Sequence, residues 1–129
     1  MLMGLKHIGY AVKSIDETVE RWKRVYGAEE IKRNTFSDIG QTSALVRIGT
    51  TYFELMEPVP GVEKSTVRKY LDTHGEGFHH LSFKSDNLSE DIERMKGEGV
   101  KIIGEGFPIV FTHPKTTGGT VLEITEQDD

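Results

Sequence analysis

The sequence predicts an α+β fold of two pseudo-symmetric βαβββ modules, because the chain repeats itself. The segment LKHIGYAVKSIDETVERW near the start returns later as FHHLSFKSDNLSEDIERM, and YFELMEP returns as VLEITEQ. His7 aligns with His80 in the opening strand of each repeat, and Glu54 and Glu123 both fall in the final strand. An internal period of this kind defines the architecture before any single element does.

Chain length indicates a single domain over residues 1–129. We assign repeat one to residues 5–57, a linker with a short helix to 58–76 and repeat two to 77–126. Each repeat is too short to bury a good core alone, so the two are expected to share one. Hydrophobic residues make up 36 % of the chain, which suits a globular protein.

The elements of repeat one follow from periodicity and end signals. Alternating side chains predict a strand over residues 6–12. Ser14 is suited to cap a helix that Gly27 ends, with apolar residues recurring between them at spacings of three and four. Further strands are predicted at residues 29–35, 42–48 and 52–57, with a tight hairpin between the last two.

Repeat two is predicted to have the same order. Asn87 is suited to cap a helix that runs through Gly97. Strands are predicted at residues 79–84, 100–103, 109–112 and 120–125, and the linker helix at 66–73. Two such twisted sheets, paired at their edges, are expected to curl into an open cup with helices outside.

Composition excludes several classes of function. The net charge of −5 argues against general nucleic-acid binding, and the absence of cysteine excludes disulfides, thiolate catalysis and zinc-finger sites. The apolar runs are too short to span a membrane, and no signal peptide follows Met1. We therefore expect a cytoplasmic protein with no nucleic-acid or membrane partner.

Four residues are candidate metal ligands: His7, Glu54, His80 and Glu123. Taken singly, each is better explained as a surface or hydrogen-bonded side chain. Their symmetric placement favours a metal site, because the inward faces of the first and last strands of both modules meet in the cup. Imidazole and carboxylate without thiolate suit Zn, Ni, Co, Mn or Fe as a divalent ion.

The other histidines have weaker claims. His79 alternates to the opposite face from His80 and is expected to be structural. His74 and His113 are predicted in loops, where either could contact a substrate, although a solvated loop histidine is the simpler expectation.

With these residues in hand, the chain resembles the vicinal oxygen chelate superfamily, which includes glyoxalase I, extradiol dioxygenases and bleomycin-resistance proteins. Within it, the chain is most similar to the methylmalonyl-CoA epimerases. The matching stretches are KHIGYAVKSIDE, FELMEPV, STVRKYLDTHGEGFHHLSF and THPKTTGGTVLEI. The resemblance implies a glyoxalase-like fold, a homodimer and the same four metal ligands.

The resemblance also implies a reaction. A divalent metal would hold the thioester carbonyl and the carboxylate of a 2-methylmalonyl group, so that charge on the enolate oxygen is stabilised while the α-proton moves. The expected activity is that of a metal-dependent isomerase on a small acyl-CoA. The pseudo-twofold, which sets Glu54 opposite Glu123 across the ion, makes these two glutamates the proton-transfer candidates. The alternatives are a glyoxalase I-type lactoylglutathione lyase and a non-catalytic, resistance-type binding protein.

The chain departs from these families at three places. The epimerases carry a second acid/base glutamate in the third strand, where residues 40–46 read GQTSALV and Ser43 is the nearest match. The loop before the HPK motif at His113 is short. Ala11 stands where glutathione-linked glyoxalases often carry an arginine.

Overall fold

The computed structural model describes residues 1–129 and contains eight strands and three α-helices. The first repeat comprises β1 (Leu2–Ala11), α1 (Ile15–Tyr26), β2 (Glu29–Phe36), β3 (Gln41–Ile48) and β4 (Thr51–Pro58). The linker forms α2 (Thr66–His74). The second repeat comprises β5 (Gly77–Ser85), α3 (Leu88–Gly97), β6 (Ile102–Ile103), β7 (Ile109–Thr112) and β8 (Leu122–Thr125), with a 3₁₀ turn at Pro114–Thr116. Both predicted βαβββ orders are confirmed.

The two repeats also share a strand order. Hydrogen-bonded neighbours run β1-β4-β3-β2 in the first repeat and β5-β8-β7-β6 in the second. In the second repeat, β5 pairs with β8 in parallel and β8 with β7 antiparallel. The same strand order in both repeats, together with the helices, confirms the α+β fold class that the sequence predicts.

Both module helices begin with the predicted caps. The Ser14 hydroxyl accepts a hydrogen bond from the backbone N–H of Glu17 at 3.2 Å, and the Asn87 side chain accepts one from Glu90 at the same distance. Gly27 ends α1 with a left-handed φ of 72°, a conformation that favours glycine.

A second pair of helix contacts extends the repeat further than the sequence suggested. Glu57 Oε1 accepts from the N–H of Ile15 at 3.0 Å, and Glu126 Oε1 accepts from the N–H of Leu88 at 3.2 Å. Glu57 lies three residues after Glu54, and Glu126 lies three residues after Glu123. Each accepts a hydrogen bond from an N–H in the first turn of its own repeat's helix, where the backbone donors have no partner within the helix. The two helices are thus tied to their sheets in the same way.

Contacts divide the chain into two compact units whose limits differ from those of the repeats. The continuous unit is Gly9–His79, and the split unit joins Met1–Ile8 to His80–Asp129. The division cuts β1, because its first residues pack with the second repeat.

The continuous unit has two apolar clusters. In the first, α1 covers one face of the sheet, and the second lies between α2 and the other face. The buried members are Val12, Ile15, Val19, Ala28, Ala44, Val46 and Leu55 for the first cluster, and Ala11, Met56 and Val67 for the second.

The split unit has one smaller cluster, formed by Leu88, Val110 and Ile124. Leu2 packs against it, which explains why β1 begins at Leu2 and not at the predicted residue 6.

Strand β6 is shorter than predicted, starting at Ile102 where residue 100 was expected. The N–H of Val100 donates to the carbonyl of Met95 at the end of α3, and the N–H of Lys101 donates to Thr116 Oγ1. Both donors are engaged outside the ladder, and only the carbonyl of Lys101 still accepts from the N–H of His113 at 2.8 Å, so the regular ladder begins at Ile102. The prediction that His74 lies in a loop is also wrong, since it is the last residue of α2.

None of the helices has the length and apolar character needed to cross a membrane.

Candidate metal centre

Three of the four candidate ligands converge within the split unit. His7, His80 and Glu123 each offer a donor atom, and these atoms all lie within 4.8 Å of one another. The two Nε2 atoms of His7 and His80 are 3.2 Å apart, and His7 Nε2 is 3.6 Å from Glu123 Oε2. Both histidines are buried, and Glu123 is half-buried.

Strand geometry explains why His80 and Glu123 meet. His80 and Ser82 are two residues apart on β5, so their side chains leave the same face of the sheet. The parallel register sets Ser82 opposite Glu123 on β8. Ser82 is fully buried, and its hydroxyl donates to Glu123 Oε2 at 2.5 Å. This hydrogen bond fixes one carboxylate oxygen beside His80.

The far side of the His7 ring contacts a carboxylate that the sequence did not suggest. His7 Nδ1 lies 2.9 Å from both oxygens of Asp129, and Lys6 Nζ lies 3.1 Å from Asp129 Oδ1. Burial raises the pKa of the Asp129 carboxyl, but the hydrogen bonds and charges of His7 and Lys6 outweigh it, so the pKa is lowered from its ordinary value. Asp129 is therefore ionised at neutral pH and acts as an acceptor.

The spacing of the donors fits a divalent ion. Metal–ligand bonds of about 2.1 Å place two donor atoms about 3.0 Å apart at a right angle and about 3.4 Å apart at the tetrahedral angle. The separation of 3.2 Å between the imidazole nitrogens lies within this interval, and the 3.6 Å from His7 to Glu123 is slightly longer. Two imidazoles and a carboxylate form a donor set suited to Zn, Co, Ni, Mn or Fe.

Glu54 lies in the continuous unit, on β4. Its neighbours Phe53 and Leu55 face α1, since Phe53 contacts Trp22 and Leu55 belongs to the cluster beneath that helix. By strand alternation Glu54 is on the opposite face, half-buried, on the side of Met56. Its assignment as a metal ligand stays a prediction.

Ser43 is on the same face of that sheet. It is the antiparallel register partner of Met56 on β3, it is buried, and its hydroxyl accepts a hydrogen bond from Gln41 Nε2 at 2.8 Å. This position of β3 therefore presents a hydroxyl held by an amide where the epimerases were expected to carry a carboxylate.

The remaining histidines have local partners. His79 packs edge-on against Tyr70 with ring centroids 4.6 Å apart, and His74 stacks on the same ring at 4.5 Å. Burial, with a smaller contribution from the charge of His74, lowers the pKa of His79. His113 Nδ1 accepts from the N–H of Lys115 at the 3₁₀ turn. None of these three histidines belongs to the donor set of His7, His80 and Glu123.

Sequence reasoning missed two residues of the centre, Ser82 and Asp129. Ser82 could have been found, because it shares the face of His80 and neighbours the strand of Glu123. Asp129 could not have been found from the repeat, since the position that matches it in repeat one is Pro60.

The chain has well-covered relatives. Residues 6–116 match the model of the Glyoxalase/Bleomycin resistance protein/Dioxygenase superfamily. The mitochondrial methylmalonyl-CoA epimerase of Dictyostelium discoideum is 28 % identical over 131 residues, covering 95 % of this chain and 78 % of the relative.

Solved structures agree. The crystal structure of methylmalonyl-CoA epimerase from Mycobacterium tuberculosis matches with a TM-score of 0.84 at 29 % identity, covering 95 % of this chain and 87 % of that one. A Streptomyces coelicolor methylmalonyl-CoA epimerase variant in complex with 2-nitronate-propionyl-CoA also gives 0.84, at 30 % identity, covering 96 % of both chains. With a family model spanning most of its length, this chain belongs to the glyoxalase/bleomycin resistance protein/dioxygenase superfamily.

Proposed function

We propose that this protein is a divalent-metal-dependent epimerase that moves the α-proton of a small acyl-CoA, of the methylmalonyl-CoA type. The observation that carries the proposal is the convergence of His7, His80 and Glu123 on one donor set. The alignment with epimerases over nearly the whole chain supports the same activity.

The donor set matches the needs of this chemistry. Removing a proton next to a thioester leaves negative charge on the carbonyl oxygen, and a divalent cation supplies its stabilisation when bound. His7 and His80 would hold that cation with neutral imidazole nitrogens. Glu123 would add a carboxylate oxygen, and Ser82 keeps that carboxylate in place through its hydroxyl.

Inversion at the α-carbon needs a base on one face and an acid on the other. We assign these roles to Glu123 and Glu54, with Glu54 also as the fourth ligand. The assignment of Glu54 is supported by its repeat equivalence to Glu123 and by the serine at position 43, which cannot act as the second carboxylate.

The test is exchange of the α-proton of methylmalonyl-CoA in deuterated water, followed by NMR. The metal-loaded protein is expected to exchange the proton and interconvert the two epimers, and protein stripped with a chelator to do neither. Glu123→Gln and Glu54→Gln are expected to lose most exchange, because an amide can still ligate but cannot take up the proton. Glu63→Gln, a substitution at an exposed position, is the matched control.

Two results would contradict the proposal. One is a metal-loaded wild-type protein that exchanges no α-proton on methylmalonyl-CoA or ethylmalonyl-CoA. The other is turnover of the hemithioacetal of methylglyoxal and glutathione in their place, which would favour the glyoxalase I-type lyase. If Glu54→Gln exchanges the α-proton at the wild-type rate, Glu54 does not transfer the proton, and only its proposed role as a metal ligand is left.

We also propose a homodimer. Strand β2 is exposed along nearly all its length, and it presents Ile31 and Phe36 to solvent. Association is a common way to cover such a sheet edge. Light scattering at micromolar concentration is expected to give twice the chain mass of 14.5 kDa, and a particle of 14.5 kDa would contradict it. The cytoplasmic location stays a prediction.

A further inference from the structure

The His7 ring is held from both sides. Its Nε2 faces His80 and Glu123, while its Nδ1 lies 2.9 Å from each oxygen of Asp129. The ring is buried, and the Asp129 side chain is 24 % exposed, so this contact is shielded from bulk water. Both carboxylate oxygens are therefore within hydrogen-bonding distance of the same ring nitrogen.

The contact decides which nitrogen carries the proton. An ionised carboxylate only accepts hydrogen bonds, so His7 Nδ1 must be the protonated nitrogen. In the neutral ring, Nε2 then presents its lone pair towards His80 and Glu123. Only an unprotonated nitrogen can bind a cation, and a carboxylate on the other nitrogen is a recurrent means of fixing this tautomer and raising ligand basicity.

The segment that carries Asp129 is itself anchored. Glu126 accepts from the first turn of α3, Lys84 pairs with Asp128 at 2.5 Å, and Lys6 pairs with Asp129 at 3.1 Å. The Lys6 side chain is only 10 % exposed, so its ion pair with the carboxylate that contacts His7 is largely shielded from water. Residues 126–129 are thus held at three points after β8.

We infer that Asp129 is a positioning residue for the metal centre, holding His7 in its Nδ1–H tautomer with Nε2 directed at the shared site. The inference rests on the proposed metal-dependent function. It gives Asp129 a role in metal affinity that has no counterpart in repeat one, where Pro60 occupies the matching position.

The first measurement is the tautomer of His7, read from the ¹⁵N shifts of its ring nitrogens in metal-free protein at neutral pH. The wild type is expected to show a protonated Nδ1 and an unprotonated Nε2. Asp129→Ala is expected to lose this preference. Asp129→Asn should keep it, because the amide oxygen can still accept from Nδ1–H.

The second measurement is the affinity for Zn²⁺ alone, by competition with a chelating dye. Loss of a carboxylate partner to a ligating histidine typically weakens metal binding about 10- to 100-fold, and we expect this for Asp129→Ala. Asp129→Asn should lose less. The matched control is Glu105→Ala, which removes an exposed carboxylate of the same unit and its pair with Lys96 and should bind Zn²⁺ like the wild type.

Unchanged Zn²⁺ affinity in Asp129→Ala, or a wild-type His7 protonated at Nε2, would overturn the inference. An equal loss in Glu105→Ala would also overturn it, since the effect would then come from general negative charge. Should Asp129→Ala fail to fold, the ring ¹⁵N shifts of the wild-type protein decide, since they alone show whether Nδ1 or Nε2 of His7 carries the proton. Neither readout uses turnover, so a protein that binds Zn²⁺ as predicted but exchanges no α-proton refutes the epimerase function alone.

Discussion

The two compact units are stabilised by different means. In the continuous unit, the buried side chains are mostly apolar, and the only buried polar residues are Thr18, Ser43 and Ser65. In the split unit, only Leu88, Val110 and Ile124 are buried and apolar. Its buried polar residues are more numerous: His7, His80, Ser82, Ser85, Asp91, Thr112 and Thr125.

The polar side chains of the split unit are bonded to one another or to the backbone. Ser82 donates to Glu123, Ser85 donates to Asp91, and Thr125 donates to the carbonyl of Pro108. A buried polar group is costly unless it is paired, so this unit depends on its partners being complete. The comparison teaches that one repeat topology can carry an apolar scaffold in one unit and three candidate metal donors in the other.

The largest expected effect on stability comes from the apolar core of the continuous unit. Leu55→Ala empties a fully buried position under α1, and such truncations cost about 2–5 kcal/mol of unfolding free energy. Chemical denaturation measures it. Val25→Ala, at an exposed position of α1, is the control and should change stability by less than about 0.5 kcal/mol. Equal losses in the two variants would show that the continuous unit lacks the core described.

Next is the effect of metal. An ion that binds only the folded protein stabilises it by about 2.7 kcal/mol when present at 100 times its dissociation constant. We expect Zn²⁺ or Co²⁺ to raise the melting midpoint and a chelator to reverse the rise, because the donor set of the split unit is assembled only in the folded protein. A midpoint unmoved by either treatment would contradict a metal centre in that unit.

Asp91 tests the buried polar contacts of the split unit without involving a metal. The carboxylate is fully buried, and it accepts from Ser85 and pairs with Arg94, each at 2.5 Å. Asp91→Ala leaves the buried Ser85 hydroxyl without its acceptor, and the loss is expected to be about 2 kcal/mol. Glu93→Ala, at an exposed position of the same helix, is the control.

The effect of Asp91 should also depend on pH. Burial raises the pKa of this carboxyl, but hydrogen bonds from Ser85, the N-terminal amine and Arg94 lower it below its ordinary value overall. A carboxyl with a lowered folded-state pKa stabilises above its unfolded pKa of about 3.9, and the contribution is lost as pH falls through the folded value. The stability gap between wild type and Asp91→Ala should therefore narrow in acid. A stability difference between the two proteins that widened in acid would contradict this account of Asp91.

Much of the fold was predictable because the repeat encodes it. Ser14 and Asn87 cap equivalent helices, and the alternation around Glu54 is confirmed by the packing of Phe53 and Leu55 beneath α1. The start of β1 was not predictable from repeat one, because Leu2 is held by the cluster of the other repeat.

The site was predictable to the extent that symmetry determines it. His7, His80 and Glu123 follow from matching strands, and they converge. The contact of Asp129 with His7 is made by the segment that follows β8, and its only sequence signal is one acidic residue among several. A contact made by one repeat alone leaves no internal period to detect.

The most direct measurement of the central claim is equilibrium binding of Co²⁺ or Zn²⁺ to wild type, His80→Ala and His113→Ala. Wild type and His113→Ala are expected to bind one ion per chain, because His113 is engaged at the 3₁₀ turn. His80→Ala should bind at least about 100-fold more weakly, having lost a ligand and not merely the partner of one. Equal affinity in all three proteins would contradict a metal centre formed by His7, His80 and Glu123.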